Sequence, residues 1–220
     1  MRIYLNGAEY KSYRKILNDY GVSYACLNYE YIWSRTPRFN LREDCNLFED
    51  LIATSGGLYG YALDDYRDFL NENADMFSFA LAPVELDDCE VPIYPHDRYA
   101  EYYEYYVTYI DTLNPFAKQK YKESREHGAK IHGVDFDAPY LCSLNSGTWM
   151  RGKAGWISEF TKDHKLRVHK ATYTVTAFAR DLKEKGYDID LDKVKRMDWK
   201  EIAKVNCVAW KKYQDWRENG

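Results

Sequence analysis

Residues 1–86 alternate short apolar segments with segments of helical periodicity, and this alternation restricts the fold more than any other feature. Residues 9–20 and 62–76 place apolar side chains on one helical face, whereas the apolar runs around them are short enough to be strands. The predicted strands are 1–7, 22–32, 47–54 and 77–86. Strands that alternate with helices predict βαβ units, and hence a parallel sheet or barrel.

Polar residues follow these predicted strands at their carboxyl ends. In parallel sheets and barrels, ligands bind beyond this edge. One of the ends is the stretch 52–60, IATSGGLYG, whose Gly-Gly turn predicts exposed amides beside short hydroxyl side chains. The residues at the four ends are Asn6-Gly7, Asn28, Thr54-Ser55 and Glu85 to Asp87. The sequence therefore predicts a ligand site at this edge.

Fewer strands are predicted after residue 90. Residues 97–126 are rich in tyrosine and mostly helical in pattern, and 129–136 and 140–150 each predict a further strand. Residues 155–170 predict a hairpin with its turn near 162–164, and helices are predicted over 174–186 and 199–216. About six strands in all predict an α/β, TIM-barrel-like fold that is shortened or opened, since a complete TIM barrel has eight.

The length of the chain suits a single domain over 1–220, with a barrel-like part over 1–140 and a basic part over 141–220. The first part holds 14 Lys and Arg against 24 Asp and Glu, whereas the second holds 17 against 11. A solvated helix face is the commoner cause of such a bias. Contact with a polyanion such as DNA or RNA is the alternative.

Membrane insertion and disulfide formation are not expected. No run of about 18 apolar residues exists, and the amino terminus has no signal-peptide pattern, so a soluble, cytoplasmic protein is predicted. The five cysteines are scattered and never form C-x-x-C, which argues against a disulfide framework and a structural zinc site.

Several segments of the chain resemble one family of enzymes. The segments are 1–36, 54–57, 76–87, 143–156 and 205–216. They are similar to the phage and bacterial 7-deazaguanine DNA transglycosylases, relatives of the tRNA-guanine transglycosylases. The resemblance implies a TIM-like barrel that exchanges guanine in a nucleic acid for a 7-deazaguanine base. It also implies an aspartate that attacks C1′ to form a covalent intermediate, and a second aspartate, in an Asp-Ser-Gly-Gly-like turn, that holds the base. If the gene is a phage's, the expected location is the host cytoplasm.

The chain departs from the family at both aspartates. Thr54 stands where the family's turn begins with aspartate, and Asn145 stands at the later aspartate position. Threonine cannot carry the carboxylate's negative charge, and an amide is a very poor nucleophile. Because removal of a nucleophile generally lowers rate by several orders of magnitude, the two replacements favour a protein that binds without turnover.

Other carboxylates could supply chemistry instead. The catalytic candidates are Glu85 and Asp87 at a predicted strand end and Asp135 in GVDFD. Acids in such positions more often cap helices or bind water. The clustered cysteines and histidine that hold zinc in the tRNA enzymes have no counterpart, so the resemblance implies neither a metal nor a cofactor.

Two sets of binding residues follow. A tryptophan plane and polar turn residues could hold an unstacked base, although a core position is as good an explanation for the tryptophan. The base-binding candidates are Thr54, Ser55, Gly56, Gly57, Asn145, Ser146 and Trp149. The candidates for contact with a nucleic-acid backbone are Arg35, Arg38, Arg151, Lys153, Lys165 and Arg167.

Three functional hypotheses remain open. The favoured one is a degenerate transglycosylase-like protein that binds a 7-deazaguanine base or a nucleic acid without catalysis. The second is an active pentosyltransferase that exchanges guanine in DNA or tRNA. The third is a phage interaction or structural protein with a protein partner.

Overall fold

The computed structural model describes residues 1–35, 39–58, 60–82, 88–95, 132–134, 143–154, 156–170 and 198–219. These residues form two compact units, Met1–Ser146 and Gly147–Gly220. Each unit contains a sheet of its own. No helix in the described ranges combines the length and the apolar character that a membrane span requires.

The first unit has short strands separated by helices. Its strands are β1 Arg2–Asn6, β2 Tyr24–Asn28, β3 Asp50–Thr54, β4 Phe79–Ala82, β5 Ile93–Pro95, β6 His132–Val134 and β7 Ser143–Ser146. Its helices are α1 Lys11–Asp19, α2 Tyr29–Arg35, α3 Leu41–Asp44 and α4 Tyr61–Glu72, followed by a 3₁₀ turn at Ala74–Met76.

The order of the strands determines how the sheet is wound. Within the described residues, seven parallel strands lie in the order β5-β4-β3-β2-β1-β7-β6. The steps from β1 to β5, and from β6 to β7, all move in one direction across the sheet. Because crossovers between parallel strands are right-handed, such steps place their connections on one face. The sheet curls into half a barrel, and the predicted α/β, opened barrel-like fold is confirmed.

One face of this sheet carries the aromatic core. The side chains of Tyr4, Tyr24, Cys26, Ile52, Phe79 and Leu81 form one buried cluster. Because side chains alternate along a strand, the other residues in register with Tyr4 lie on the same face, here called the Tyr4 face. At the carboxyl edge of the Tyr4 face the strands carry Asn145, Asn6, Asn28 and Thr54.

The opposite, amino-terminal edge is held by a carboxylate. Asp50 accepts hydrogen bonds from Arg2, Ser78 and, at 2.8 Å, the hydroxyl of Tyr4. Burial and the neighbouring Asp50 carboxylate raise the pKa of Tyr4 well above its ordinary value, so the hydroxyl keeps its proton. This network ties β1, β3 and the residue before β4 together away from the carboxyl edge.

Most helices and strands predicted in the first unit are present, but part of one predicted strand is a helix. The predicted strand 22–32 ends at Asn28, and α2 begins at once with Tyr29. The Asn28 side-chain oxygen accepts the Glu30 N–H at 3.0 Å, which supports the helical turn. The short strand β5 was not predicted. The tyrosine-rich segment 97–126 and the predicted helix 174–186 lie outside the described residues.

The second unit contains an antiparallel hairpin and a long helix. The hairpin joins β8 Trp156–Phe160 to β9 Leu166–Lys170, as predicted, and α5 spans Trp199–Asn219. A 3₁₀ segment over Thr148–Ala154 packs on α5, where a Cβ at Gly152 would lie 2.8 Å from an Ile202 methyl group. The basic half predicted from the sequence therefore contains the predicted hairpin and the second predicted helix.

A single buried amide joins the parts of this unit. Asn206 of α5 is fully buried and donates to the carbonyls of Trp149 at 3.0 Å and Trp156 at 2.9 Å. Its oxygen accepts the Ser158 N–H at 2.7 Å. One side chain therefore satisfies three backbone groups, from the 3₁₀ segment and from β8.

Candidate functional site

Four neighbouring strands of the first unit carry neutral polar side chains on the Tyr4 face, at the last residue of β1, β2 and β3 and the residue before the last of β7. Asn145 of β7 donates to the side-chain oxygen of Asn6 on the adjacent β1 at 2.8 Å. Asn28 of β2 and Thr54 of β3 are partners in the sheet register. The structure thus places the two predicted residues Thr54 and Asn145 at one edge, separated by the ends of β1 and β2.

Asn145 is fixed in orientation by a buried histidine. His132 Nε2 lies 2.8 Å from the Asn145 oxygen, and Nδ1 lies 2.7 Å from the Ser143 hydroxyl. Because the Asn145 nitrogen donates to Asn6, its oxygen accepts from His132 Nε2, and His132 Nδ1 is bonded to the Ser143 hydroxyl. The result is a polar chain that runs from the first residues of β6 and β7 to the carboxyl end of β1. The Asn145 amide therefore already uses its nitrogen to donate to Asn6 and its oxygen to accept from His132.

The amides of the turn at residues 54–57 are also engaged. Gly56 N–H donates to the Thr54 hydroxyl at 3.2 Å, Gly57 N–H to Glu30 Oε2 at 2.6 Å, and Ser55 N–H to a β4 carbonyl at 3.0 Å. The prediction that this turn exposes its amides is therefore wrong, because neighbouring side chains and β4 take them up. The Ser55 hydroxyl is fully buried and has no hydrogen-bond partner among the residues that the structure describes.

Glycine is required at residue 56 for two reasons. Its φ of +63° lies in the left-handed region, and a Cβ there would lie 2.5 Å from Glu30 Oε2 and 2.6 Å from Asn28 Oδ1. Replacing Gly56 with alanine is expected to lower the free energy of unfolding by about 2 kcal/mol, measured by urea denaturation.

Gly21→Ala is the matched control for this substitution. Gly21 has a similar φ of +64°, but a Cβ there would meet no atom within 4 Å. We expect Gly21→Ala to lower the free energy of unfolding by about 1 kcal/mol, which is the cost of the backbone conformation alone. Equal losses in the two variants would show that the contact of residue 56 with Glu30 and Asn28 does not matter.

Two carboxylates at this edge were not predicted from the sequence. Glu9 lies just after β1, is 5% exposed and accepts the Asn28 N–H at 3.2 Å. Burial raises the pKa of Glu9 to about 7, against the opposing effects of backbone N–H groups and Arg14. Glu30 lies two residues after β2. Glu9 follows the predicted strand 1–7 by two residues, so its position was a signal that could have found it, whereas Glu30 lies within the predicted strand 22–32 and gave no such signal.

An exposed aromatic pair lies at the same edge. Trp33 of α2 and Tyr61 of α4 are 40% and 75% exposed, and their ring centroids are 6.4 Å apart. The Trp33 indole donates to Asp65 at 2.9 Å, which joins the two helices. Both helices begin within seven residues of strand ends, at Tyr29 and Tyr61. Neither ring was predicted from the sequence to belong to a site.

The predicted stacking tryptophan has a different environment. Trp149 has no exposed surface in the second unit, as expected of the core alternative. A ring without an exposed face cannot stack on an added base unless its surroundings move. Ser146, at the end of β7, is also fully buried.

The predicted cations fall into two groups. Arg151, Lys165 and Arg167 are exposed in the second unit; Arg151 lies 5.6 Å from the Trp156 ring centroid, and Lys165 is paired with Asp163 at 3.1 Å. Arg38 and the side chains of Arg35 and Lys153 lie outside the described residues.

The three catalytic candidates Glu85, Asp87 and Asp135 also lie outside the described residues. Among the carboxylates that the structure describes, Glu9 and Glu30 contact the carboxyl edge through the backbone of Asn28 and Gly57.

The chain matches no family model, no curated protein and no solved structure.

Proposed function

We propose that the protein binds a guanine-type or 7-deazaguanine base at the carboxyl edge of its first unit and does not exchange it. In this proposal it is a degenerate relative of the 7-deazaguanine DNA transglycosylases, built on an incomplete TIM-like barrel. The observation that carries the proposal is the row of neutral polar side chains on four adjacent strand ends: Asn145, Asn6, Asn28 and Thr54.

The chemistry of this row suits a polar heterocycle. Asn6 and Asn28 carry amides, which combine a donor with an acceptor, and the edges of a purine-type base alternate the same two kinds of group. The Asn145 amide is engaged by His132 and Asn6 and holds the Asn6 side chain instead. Small-molecule sites in barrels lie at this edge of the sheet. The one-directional strand order is also that of a TIM barrel, in which consecutive strands are neighbours around the ring. These features support a base site on a barrel-derived scaffold.

The same row argues against glycosyl transfer at the two aspartate positions. Covalent base exchange needs an ionised carboxylate that stabilises and then bonds to the sugar carbon. The Thr54 hydroxyl accepts from Gly56, and the Asn145 amide lies between His132 and Asn6. Neither group can take up the charge or form the bond, so binding without exchange is the function that we assign.

Charge favours a free base over a base within a nucleic acid. Residues 1–146 hold 14 Lys and Arg against 24 Asp and Glu. A unit with this net negative charge repels a phosphate backbone, whereas an uncharged base is not affected. Exposed Trp33 and Tyr61 offer aromatic surface at the same edge for stacking. We therefore assign the free base as the ligand of the first unit.

Calorimetric titration with 7-deazaguanine tests this proposal. We expect the unaltered protein to bind in the micromolar range, as suits a small polar ligand. Asn6→Ala removes one amide of the row and is expected to weaken binding about tenfold. Asn46→Ala, at an exposed asparagine away from the row, is the control and should bind as the unaltered protein does.

The same preparation separates the other hypotheses. Incorporation of labelled guanine into DNA or tRNA, or a trapped covalent adduct, would contradict the proposal and favour the active enzyme. Affinity for an oligonucleotide that falls steeply with salt, without affinity for the base, would favour nucleic-acid binding. If neither ligand binds, base recognition is wrong and a protein partner becomes the better hypothesis.

A further inference from the structure

Two hydrogen bonds hold Glu30 beside the turn at residues 54–57, one made by its backbone and one by its side chain. Its backbone N–H donates to Asn28 Oδ1 at 3.0 Å, and its Oε2 accepts the Gly57 N–H at 2.6 Å. The absence of a side chain at Gly56 makes room for it, because a Cβ there would lie 2.5 Å from Oε2. A carboxylate is therefore present at the turn, although Thr54 replaces the acid of the turn itself.

The hydrogen bond to the turn occupies only part of the accepting capacity of the Glu30 carboxylate. A carboxylate group has about four acceptor sites, and the Gly57 N–H occupies one of them. The Glu30 residue is only half-buried, whereas Glu9 is nine-tenths buried and holds the Asn28 N–H. In the same turn the fully buried Ser55 hydroxyl has no hydrogen-bond partner within the described part of the chain. The turn thus combines a fixed, partly accessible acceptor with an unsatisfied hydroxyl.

We infer that Glu30 is the residue that selects the base at this edge, by accepting two N–H donors from one edge of a guanine-type ring. The inference rests on the proposed base-binding function. Guanine and 7-deazaguanine present N1–H and the 2-amino group side by side, and a carboxylate matches such a pair with two acceptors. A hypoxanthine-type base lacks the amino group and leaves one acceptor unpaired. Selection for the amino group therefore follows.

Two bases and three variants test the inference. Dissociation constants for 7-deazaguanine and 7-deazahypoxanthine are measured by calorimetry, with the melting temperature of each variant recorded. The unaltered protein is expected to prefer 7-deazaguanine at least tenfold, since charge-assisted hydrogen bonds of this kind are strong. Glu30→Gln can still accept the Gly57 N–H but loses the charge and one acceptor, and its preference is expected to fall below about threefold.

Glu72→Gln, at an exposed glutamate of α4, is the control and should keep the full preference. Glu30→Asp keeps the charge and is expected to keep the direction of the preference. This second variant also serves if Glu30→Gln does not fold.

The outcomes distinguish this inference from the function on which it rests. If the unaltered protein binds both bases equally, or if Glu30→Gln keeps the preference, the role of Glu30 is wrong and base binding stands. A reversed preference in Glu30→Asp would likewise overturn the role of the carboxylate. If the unaltered protein binds neither base, both the inference and the proposed function fail.

Discussion

Replacing Asn206 with alanine is expected to lower the free energy of unfolding by about 3–5 kcal/mol, from the loss of three buried hydrogen bonds. The Asn206 side chain is fully buried and satisfies the carbonyls of Trp149 and Trp156 and the N–H of Ser158. Alanine removes these three hydrogen bonds and opens a cavity between α5 and the hairpin. Urea denaturation followed by tryptophan fluorescence and circular dichroism measures the change.

Asn219→Ala is the control for this experiment. Asn219 lies in the same helix, is exposed and donates to the Asp215 carbonyl at 2.7 Å. Exposed substitutions of this kind change stability by about 0.5 kcal/mol or less. A loss below about 1 kcal/mol for Asn206→Ala would mean that water or another side chain replaces the amide, and its role in joining the second unit would be wrong.

Glu9→Gln is expected to remove most of a stability change between pH 5 and pH 8. The pKa of Glu9 is raised from its ordinary value near 4.5 to about 7, chiefly by burial. Between these two values the folded chain holds a proton that the unfolded chain has lost. The free energy of unfolding therefore falls as pH rises through this window, by about 3 kcal/mol in total for a shift of this size. Glutamine cannot ionise, so the variant lacks this contribution.

Urea denaturation at several pH values measures the difference between the two proteins. The unaltered protein should lose stability relative to Glu9→Gln as pH rises from 5 to 8. Glu49→Gln is the control for the loss of a carboxylate at an exposed site, where Glu49 is bonded to Ser23. Parallel curves for the unaltered protein and Glu9→Gln would contradict a titrating carboxyl group at residue 9.

The sequence predicts elements well where one local pattern determines them. α1 and α5 follow their apolar periodicity, and the hairpin of β8 and β9 follows its alternation. The helix α2 was missed because its residues, YEYIWSR, favour strands locally. Its helical turn is supported by Asn28, and its Glu30 reaches Gly57, 27 residues away. Such tertiary contacts override local propensity, and no periodicity shows them.

The residues of the candidate site were likewise predicted only where a local rule determines them. Asn6, Asn28 and Thr54 follow from the rule that ligand-binding residues lie at the carboxyl ends of parallel strands. The bond from Asn145 to Asn6 joins residues 139 apart, and His132 gains its position only from the pairing of β6 with β7. Strand order determines these neighbours, and the spacing of residues does not. Glu9 and Glu30 were missed because their surroundings come from adjacent strands.

The interior place of β1 among the described strands, between β2 and β7, affects how the chain folds as it is synthesised. β1 to β5 pair in the order in which they leave the ribosome, so each new strand adds to a sheet edge already present. The other edge of β1 remains open until β7 arrives, when Arg2 pairs with Ser143. This late, long-range pairing is slow, because a long loop must close first. Until then the nascent chain exposes an unpaired strand edge, which is the part most open to association with other chains or to chaperones.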